Sequence, residues 1–185
     1  MLVRLDISDG SWRTYKVALP IYRYISGWSH DPAGERLLVS TGEERWLFEL
    51  ERNTASIIAS MDVGRPAGPA LVTGLRELNG TIYAGTEAGA VAFRHNGSAD
   101  KLFGGGLVTA MDLDRVAGVL AAGTLEGWHL DPSLGIWRYS DAVLTACNVT
   151  TGNFTSWRFP LKGEWRDARV SAVQLDMARS RLYFG

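Results

Sequence analysis

Short stretches of alternating hydrophobic and polar residues recur along the chain, separated by turn residues. One runs from Val72 to Leu78, turns at Asn79-Gly80 and returns over residues 81–86. This alternation, its β-branched and aromatic residues and the Asn-Gly turn are typical of β-hairpins. The one stretch that competes as a helix, residues 49–60, fits strands better because Asn, Thr and Ile occupy it. The pattern predicts an all-β chain of antiparallel hairpins.

Two short phrases repeat along these hairpins. The first joins a β-branched, a hydroxyl and a small residue, and the second follows it after one strand and one turn. The first phrase occurs as Ile25-Ser26-Gly27, Val72-Thr73-Gly74, Val108-Thr109-Ala110 and Val170-Ser171-Ala172. The second occurs as Ser40-Thr41-Gly42, Ala84-Gly85-Thr86, Ala122-Gly123-Thr124 and Phe184-Gly185. Self-similarity at tens of residues is the signature of a repeat architecture.

Two hairpins per repeat make a four-stranded antiparallel unit, which is the blade of a β-propeller. The segment 146–159, with a turn at Thr151-Gly152 and Trp157 near its end, resembles a quinoprotein-type propeller repeat. Residues 82–86 and 182–185 resemble two-component-regulator-type repeats, within the same superfamily as WD-repeat-like blades. The resemblance implies a propeller of about four four-stranded blades and leaves the activity open, because these repeats define a fold.

The predicted organisation is a single propeller domain over residues 1–185. Internal blades are expected at 21–63, 69–104 and 107–160. The outer hairpin 1–20 is expected to pair with the inner hairpin 169–185 as a fourth blade, which closes the ring and removes its open edges.

The third blade region contains two candidate outer hairpins, and this leaves two arrangements open. One is a closed four-bladed ring with an insertion in the third blade. The other is an open part of a larger ring, completed by another chain or by a homodimer. The end at Gly185, one residue before the expected Thr, favours completion by another chain or truncation.

Composition predicts a compact soluble body, with 46% hydrophobic and 21% charged residues and a formal net charge of −1. The charges are mixed without a basic stripe, so no nucleic-acid partner is expected. No apolar run approaches the length of a membrane helix, so no membrane span is expected. Cys147 is the only cysteine, which rules out an internal disulfide and favours a buried, inert thiol.

Four asparagines lie in N-x-[ST] sequons, at Asn79, Asn96, Asn148 and Asn153. One interpretation is a glycoprotein that is secreted or resides in a secretory lumen. The other is that Asn makes the turns and Thr begins the next strand. The lack of cysteine pairs argues against an extracellular location, and both interpretations stay open here.

The first strand of a propeller blade lines the central channel, so the hydroxyls of the first phrase are predicted to ring the axis. These channel-lining residues are Ser26, Thr73, Thr109 and Ser171. They would either hold water, an ion or a small ligand, or cap neighbouring strand backbones. The second interpretation is favoured, because local hydrogen bonds are the usual role of Ser and Thr.

The loops that enter each blade and those between its middle strands are predicted to share one face, where a partner docks. The candidate binding residues on it are Trp128, His129, Trp137, Tyr139, Trp165 and Arg166. Aromatic and Arg side chains form interface hot spots, and Trp also stacks on sugars. The expected partner is a protein or an extended ligand such as a carbohydrate. The alternative is that these aromatics wedge between blades.

The candidate catalytic sets do not have the geometry that chemistry requires. Ser29-His30-Asp31 is contiguous, and adjacent strand residues point to opposite faces. Gly104-Gly105-Gly106 lacks the strand–glycine–helix context of a phosphate loop. Asp112 and Asp114 share a strand face that could hold a cation, although acids that recur with the repeat favour turn capping.

We therefore expect a non-enzymatic binding module without catalytic residues, metal or cofactor. Two alternatives remain. One is a portion of a quinoprotein-like or lactonase-like propeller enzyme, and the other is the propeller of a sensory ectodomain.

Overall fold

The fold is taken from a computed structural model, which describes residues 2–5, 8–15, 25–30, 36–41, 46–51, 54, 56–62, 72–94, 98–127, 129–133, 135–161 and 169–185. The strands are β1 (Leu2–Leu5), β2 (Trp12–Tyr15), β3 (Ile25–His30), β4 (Arg36–Thr41), β5 (Trp46–Glu51), β6 (Ile57–Asp62), β7 (Val72–Leu78), β8 (Thr81–Thr86), β9 (Gly89–Arg94), β10 (Ala99–Gly104), β11 (Leu107–Asp114), β12 (Val119–Glu126), β13 (His129–Asp131), β14 (Ile136–Arg138), β15 (Asp141–Asn148), β16 (Phe154–Pro160), β17 (Val173–Asp176) and β18 (Arg181–Phe184). A short 3-10 helix, Met177–Arg179, joins the last two.

The strands form antiparallel sheets of the size that the hairpin pattern predicts. Three are four-stranded, and we call them blade 1 (β3-β4-β5-β6), blade 2 (β7-β8-β9-β10) and blade 3 (β11-β12-β15-β16). Three are two-stranded, namely β1-β2, β13-β14 and β17-β18, and we call the last of these the half-blade. The described part of the chain is therefore all-β and built of four-stranded blades, as expected.

The hairpin β13-β14 is an insertion between the second and third strands of blade 3. Strand β12 pairs directly with β15, so the blade is complete without it. The insertion is one feature of the closed-ring arrangement, and the closure of the ring itself stays a prediction. The pairing of the hairpin 1–20 with 169–185 in one blade stays a prediction, because β1-β2 and the half-blade form separate sheets among the described residues.

The first phrase of the repeat forms a β-bulge at the start of each inner strand. The pairing between the first two strands of blades 1, 2 and 3 skips one residue, which is Ser26, Thr73 and Thr109 in turn. A bulge leaves this residue outside the ladder. Thr73 Oγ1 donates to the carbonyl oxygen of Val108 in the next blade, at 2.6 Å. Thr109 Oγ1 likewise donates to the carbonyl oxygen of Val170.

The second phrase places a glycine against the same β-branched residue of the next blade. A Cβ on Gly85 would lie 2.6 Å from Val108 Cγ1, and one on Gly123 would lie 2.4 Å from Val170 Cγ1. Only glycine allows this approach. We call this β-branched residue the knob. The hydroxyl and the glycine of the preceding blade, which contact the knob residue, together form what we call the socket.

The hydrophobic core lies between the blades. One cluster joins blade 1 to blade 2 and includes Leu38, Leu47, Leu75 and Phe93. A second joins blade 2 to blade 3 and includes Tyr83, Phe103, Met111, Leu120 and Cys147. Cys147 is fully buried, and this burial raises the pKa of its thiol. Face-to-face packing of successive sheets therefore holds the blades together.

Two of the four sequon asparagines are turn residues in the structure. Asn79 adopts φ 51° beside Gly80 at φ 77°, as a two-residue hairpin turn requires. Asn148 Oδ1 accepts from the backbone N–H groups of Thr150 and Thr151, both at 3.0 Å. The turn-forming role therefore accounts for these two residues, and glycosylation stays a prediction. Asn96 lies outside the described residues.

Candidate partner-binding face

The linkers between blades and the connections between second and third strands lie at the same end of the blades. Gly106, in the linker from blade 2 to blade 3, lies so close to β12 that a Cβ would be 2.0 Å from the carbonyl oxygen of Leu125. A Cβ on Gly105 would lie 2.2 Å from Glu126 Oε1. The inserted hairpin leaves β12 immediately after Glu126, so it rises from this face. We call this end of the blades the loop face.

Blade 2 has a tight turn where blade 3 carries the insertion. Glu87-Ala88 connects β8 to β9 there. Thr86 Oγ1 donates to the carbonyl oxygen of Gly89 at 2.8 Å and accepts from the N–H of Ala88 at 3.1 Å. Two residues are thus enough to join these strands, and the longer hairpin of blade 3 is not needed to build the sheet.

The root of the inserted hairpin is held by a charged cluster. Glu126 and Asp141 are cross-strand partners, and like charges in this position repel. Arg158 on β16 donates to Asp141 Oδ2 and to Glu126 Oε2, both at 2.6 Å. These two hydrogen bonds raise the pKa of Arg158. The N–H of Ser140 donates to the carbonyl oxygen of Glu126 at 3.0 Å, which closes the root.

The tip of the hairpin presents aliphatic side chains to solvent. Leu130 is 50% exposed and Ile136 is 46% exposed. Gly135 makes the turn with φ 66°. Sequence reasoning missed these two residues because it searched the loop for aromatic side chains. The sequence does carry a signal for them. Each of the two three-residue strands of the hairpin contains an aliphatic residue, although no blade requires these strands.

The predicted binding residues lie partly on this hairpin. His129 is in β13 and Trp137 is in β14. Tyr139, at the root, packs against a buried cluster that contains Leu125, Ala142 and Val170. The remaining three fall outside the described residues: Trp128, Trp165 and Arg166. Their part in partner binding stays a prediction.

The first-phrase hydroxyls make backbone contacts between and within blades. Thr73 and Thr109 cap the carbonyls of the next blade, as described above. Ser171 Oγ instead donates to the carbonyl oxygen of Gly185 in its own half-blade, at 3.1 Å. Ser26 occupies the equivalent bulge position in β3. The contacts seen for the two threonines are those of the capping interpretation.

Asp112, one of the two aspartates considered for a cation, bridges three inner strands. Its Oδ2 accepts from the backbone N–H of Leu175 on β17 at 2.9 Å. Its Oδ1 lies 3.8 Å from Nε of Arg76 on β7, whose Nη2 donates to the carbonyl oxygen of Met111. Burial lowers the pKa of Arg76, and the charge of Asp112 opposes this effect.

The aspartates that recur with the repeat cap turns where the structure describes them. Asp114 Oδ1 accepts from the N–H groups of Val116 and Ala117, at 2.9 and 2.8 Å. Asp176 Oδ1 accepts from the N–H of Arg179 at 3.2 Å. Over the described ranges, no three His, Cys, Asp or Glu side chains are grouped so that they could hold a metal ion.

An apolar pocket of about 480 Å³ opens between blade 3 and the half-blade, at the loop face. It is lined by Ala142, Phe159, Pro160, Leu161, Arg169, Val170, Phe184 and Gly185. Two of these residues, Phe159 and Phe184, pack against each other with 5.3 Å between their ring centroids. Sequence reasoning did not find this pocket, because its walls come from three separate strands, the linker between β16 and β17, and Gly185.

Comparison with solved structures identifies the architecture. The chain resembles the hydrazine synthase of Kuenenia stuttgartiensis, with a TM-score of 0.59 and 12% identity over 84% of this chain and 42% of that one. It resembles the WD40 repeats of RRP9, with a TM-score of 0.57 and 9% identity over 85% of this chain and 44% of that one. The fold is part of a β-propeller.

A third propeller match is in a nidogen/laminin complex, with a TM-score of 0.58 and 14% identity. It covers 88% of this chain and 56% of that one. The chain thus spans about half the length of the propeller proteins it resembles. No family model matches the sequence, and no curated protein matches it either. Within the described residues, no helix has the length and hydropathy to cross a membrane.

Proposed function

We propose that this propeller is a non-enzymatic binding module that takes a partner protein on its loop face, through the inserted hairpin β13-β14. The observation that carries the proposal is the solvent-exposed pair Leu130 and Ile136 on an element that the blade does not need. A single exposed apolar residue is common on protein surfaces and needs no explanation. A hairpin that exposes two of them, and that the sheet does not need for its stability, is more typical of an interaction site. Leu130 and Ile136 occupy neighbouring register positions and so lie on opposite faces of the hairpin, and a groove that receives the whole hairpin would bury both.

The rigid root supports the same proposal. Arg158 ties the two strands that flank the hairpin, and Ser140 closes its base. A preorganised element loses less conformational entropy on binding than a free loop of the same length. The hairpin therefore suits a binding role better than an ordinary surface loop would.

The partner we propose is a protein with an apolar groove. Trp137, Trp128 and His129 belong to the same hairpin stretch and would add hot-spot contacts at its centre. The nidogen/laminin match is a complex of two proteins, which is in keeping with this class of partner. Trp165 and Arg166 are proposed as a second contact from the linker into the half-blade.

The test compares a variant changed on the loop face with a control variant changed away from it. The first is Leu130→Ser with Ile136→Ser, and the control is Val116→Ser, which alters a fully exposed residue in the turn at the opposite end of blade 3. The wild type and both variants are immobilised, and retained proteins from an extract of the source organism are quantified by mass spectrometry.

A retained protein is then purified and its affinity is measured by calorimetry. We expect the affinity of the hairpin variant for this protein to fall at least ten-fold, while its melting temperature stays unchanged. The Val116 variant should bind the protein as the wild type does. Equal binding by all three proteins would refute the hairpin as the site. Replacing Trp137 and Trp165 with Ala tests the aromatic residues in the same way, and an equal loss of stability would assign them to blade packing.

A further inference from the structure

The turn between the first two strands of blade 2 contains a chemically reactive pair of residues. Asn79 and Gly80 join β7 to β8, and Asn79 is exposed to solvent. Asparagine is a thermolabile residue. It is most reactive before glycine, because a glycine without a side chain lets its backbone nitrogen approach the preceding side chain. The pair that suits a two-residue hairpin turn is therefore also a pair prone to deamidation.

The reaction consumes only water. Hydroxide takes the proton of the Gly80 N–H, and the nitrogen attacks Cγ of Asn79. The new N–Cγ bond closes a cyclic imide, the Cγ–Nδ2 bond breaks, and Nδ2 takes a proton from water and leaves as ammonia. Water then opens the imide on either side, which gives an aspartyl or an isoaspartyl residue at position 79.

The attacking nitrogen is engaged by a side chain in the folded protein. The N–H of Gly80 donates to Oε1 of Glu77 at 2.7 Å. This contact is additional to the strand ladder, whose last pair is Leu78 with Thr81. A hydrogen bond of this length to a carboxylate belongs to the strong, charge-assisted class. The proton that must leave is thus held by Glu77.

Two features of this arrangement oppose cyclisation. A carboxylate beside the nitrogen disfavours the negative charge that forms there when the proton leaves, as like charges do. The turn also fixes the backbone, with φ 51° at Asn79 and φ 77° at Gly80. Attack needs a rotation about the Cα–C bond of Asn79, and this rotation would pull Gly80 out of the turn. The hairpin has to open before the reaction can proceed.

We infer that Asn79 is a deamidation site that the folded hairpin protects, with Glu77 as the protecting residue, and that opening of the hairpin exposes it. The isoaspartyl product adds a backbone carbon atom to a two-residue turn, which no longer matches the register of β7 and β8. The turn lies at the end of the blades opposite the loop face, so this inference is independent of the proposed partner site.

The size of the protection follows from the hydrogen bond to Glu77. Net contributions of hydrogen bonds to charged groups correspond to a change in rate of about ten-fold or more. The loss of this bond should therefore speed the deamidation of Asn79 by about this factor.

The test measures the fraction of acid formed at position 79 by peptide mass spectrometry, in folded protein kept at mildly alkaline pH. The variants are Glu77→Ala, which removes the acceptor, and Glu77→Gln, which keeps an oxygen at this place. The matched control is Glu87→Ala, which changes an exposed glutamate in the next turn of the same blade. Wild type unfolded in urea gives the rate without protection.

We expect the unfolded chain and folded Glu77→Ala to deamidate at Asn79 about ten-fold faster than the folded wild type, or more. Glu87→Ala should match the wild type, and Glu77→Gln should lie closer to the wild type than Glu77→Ala does. A folded wild type that reacts as fast as the unfolded chain would overturn the inference. So would a Glu77→Ala variant that reacts no faster than the wild type.

A second variant separates local protection from overall stability. Thr73→Val removes the socket hydroxyl of the same blade and leaves Glu77 in place. Its free energy of unfolding and that of Glu77→Ala are measured in urea. Deamidation of Asn79 as fast in Thr73→Val as in Glu77→Ala would mean that global unfolding sets the rate, and would overturn the role of Glu77.

Discussion

Replacing Gly85 with Ala tests whether the repeated phrases encode the contact between blades. The new methyl group would lie 2.6 Å from Val108 Cγ1, 3.0 Å from Val108 Cβ and 3.3 Å from Met111 Sδ. Ordinary carbon contacts begin near 3.5 Å, so the overlap with Val108 is close to 1 Å. Val108 is 1% exposed and Met111 5%, so both side chains are enclosed by the protein and cannot turn out into solvent.

The expected loss of stability follows from two opposing effects. Overpacking a buried site costs about 1–3 kcal/mol. Removing a glycine from a strand returns about 0.5–1 kcal/mol, because the unfolded chain loses freedom. With both effects at the middle of their ranges, the net effect is a loss of about 1 kcal/mol, which for a chain of this size lowers the melting temperature by about 2–4 °C.

The assay is urea unfolding followed by tryptophan fluorescence, with a double-mutant cycle. Val108→Ala removes the atom that the new methyl group meets and leaves a small cavity in its place. The double variant Gly85→Ala with Val108→Ala is therefore expected to be at least 1 kcal/mol more stable than the sum of its single changes, as directly coupled neighbours are. Gly104→Ala is the matched control, since its Cβ would meet the flexible end of Lys101 and lie at an ordinary contact distance of 3.8 Å from the carbonyl oxygen of Ala88.

Two results would refute this reasoning. One is a Gly85→Ala variant as stable as Gly104→Ala, which would mean that the blades do not pack at this distance. The other is strict additivity in the cycle, which would mean that Val108 is not the residue that glycine accommodates.

Three further outcomes follow from the same contacts. Thr73→Val and Thr109→Val should each lower the free energy of unfolding in urea by about 1 kcal/mol, because each leaves a carbonyl of the next blade without its donor. Thr155→Val on the exposed strand β16 is the control and should be neutral. Equal effects of all three would contradict the capping role. Cys147 should react slowly with a thiol reagent until the protein unfolds. Because burial raises the pKa of its thiol, the unfolded chain loses this proton first, and the stability that Cys147 contributes should be lost as pH rises above about 8.5. The Cys147→Ala variant should lack this alkaline loss. Arg158→Met should lower the melting temperature, because Glu126 and Asp141 are left to repel each other. Since salt screens this repulsion, 1 M NaCl should reduce the difference in melting temperature between the variant and the wild type. A difference that salt does not change would point to lost packing instead.

The candidate site was only partly accessible from the sequence. The loop that holds Trp128, His129, Trp137 and Tyr139 stood out for its aromatic residues, and the structure places the hairpin β13-β14 in it. Leu130 and Ile136 were passed over, since nothing local distinguishes an exposed aliphatic residue from a buried one. The charged root was also missed, because Glu126, Asp141 and Arg158 lie on three different strands and meet only through the register of the sheet.

The sequence by itself determined the hairpins, the all-β class and the propeller repeat. Alternation with a period of two and Asn-Gly turns are local properties, and they act through the backbone of each hairpin alone. The tertiary structure decided what the repeated phrases do. Thr73 meets the carbonyl of Val108 across 35 residues of chain, and Gly85 meets the same residue from another strand. Contacts of this kind depend on how one sheet faces the next, and no single hairpin contains that information.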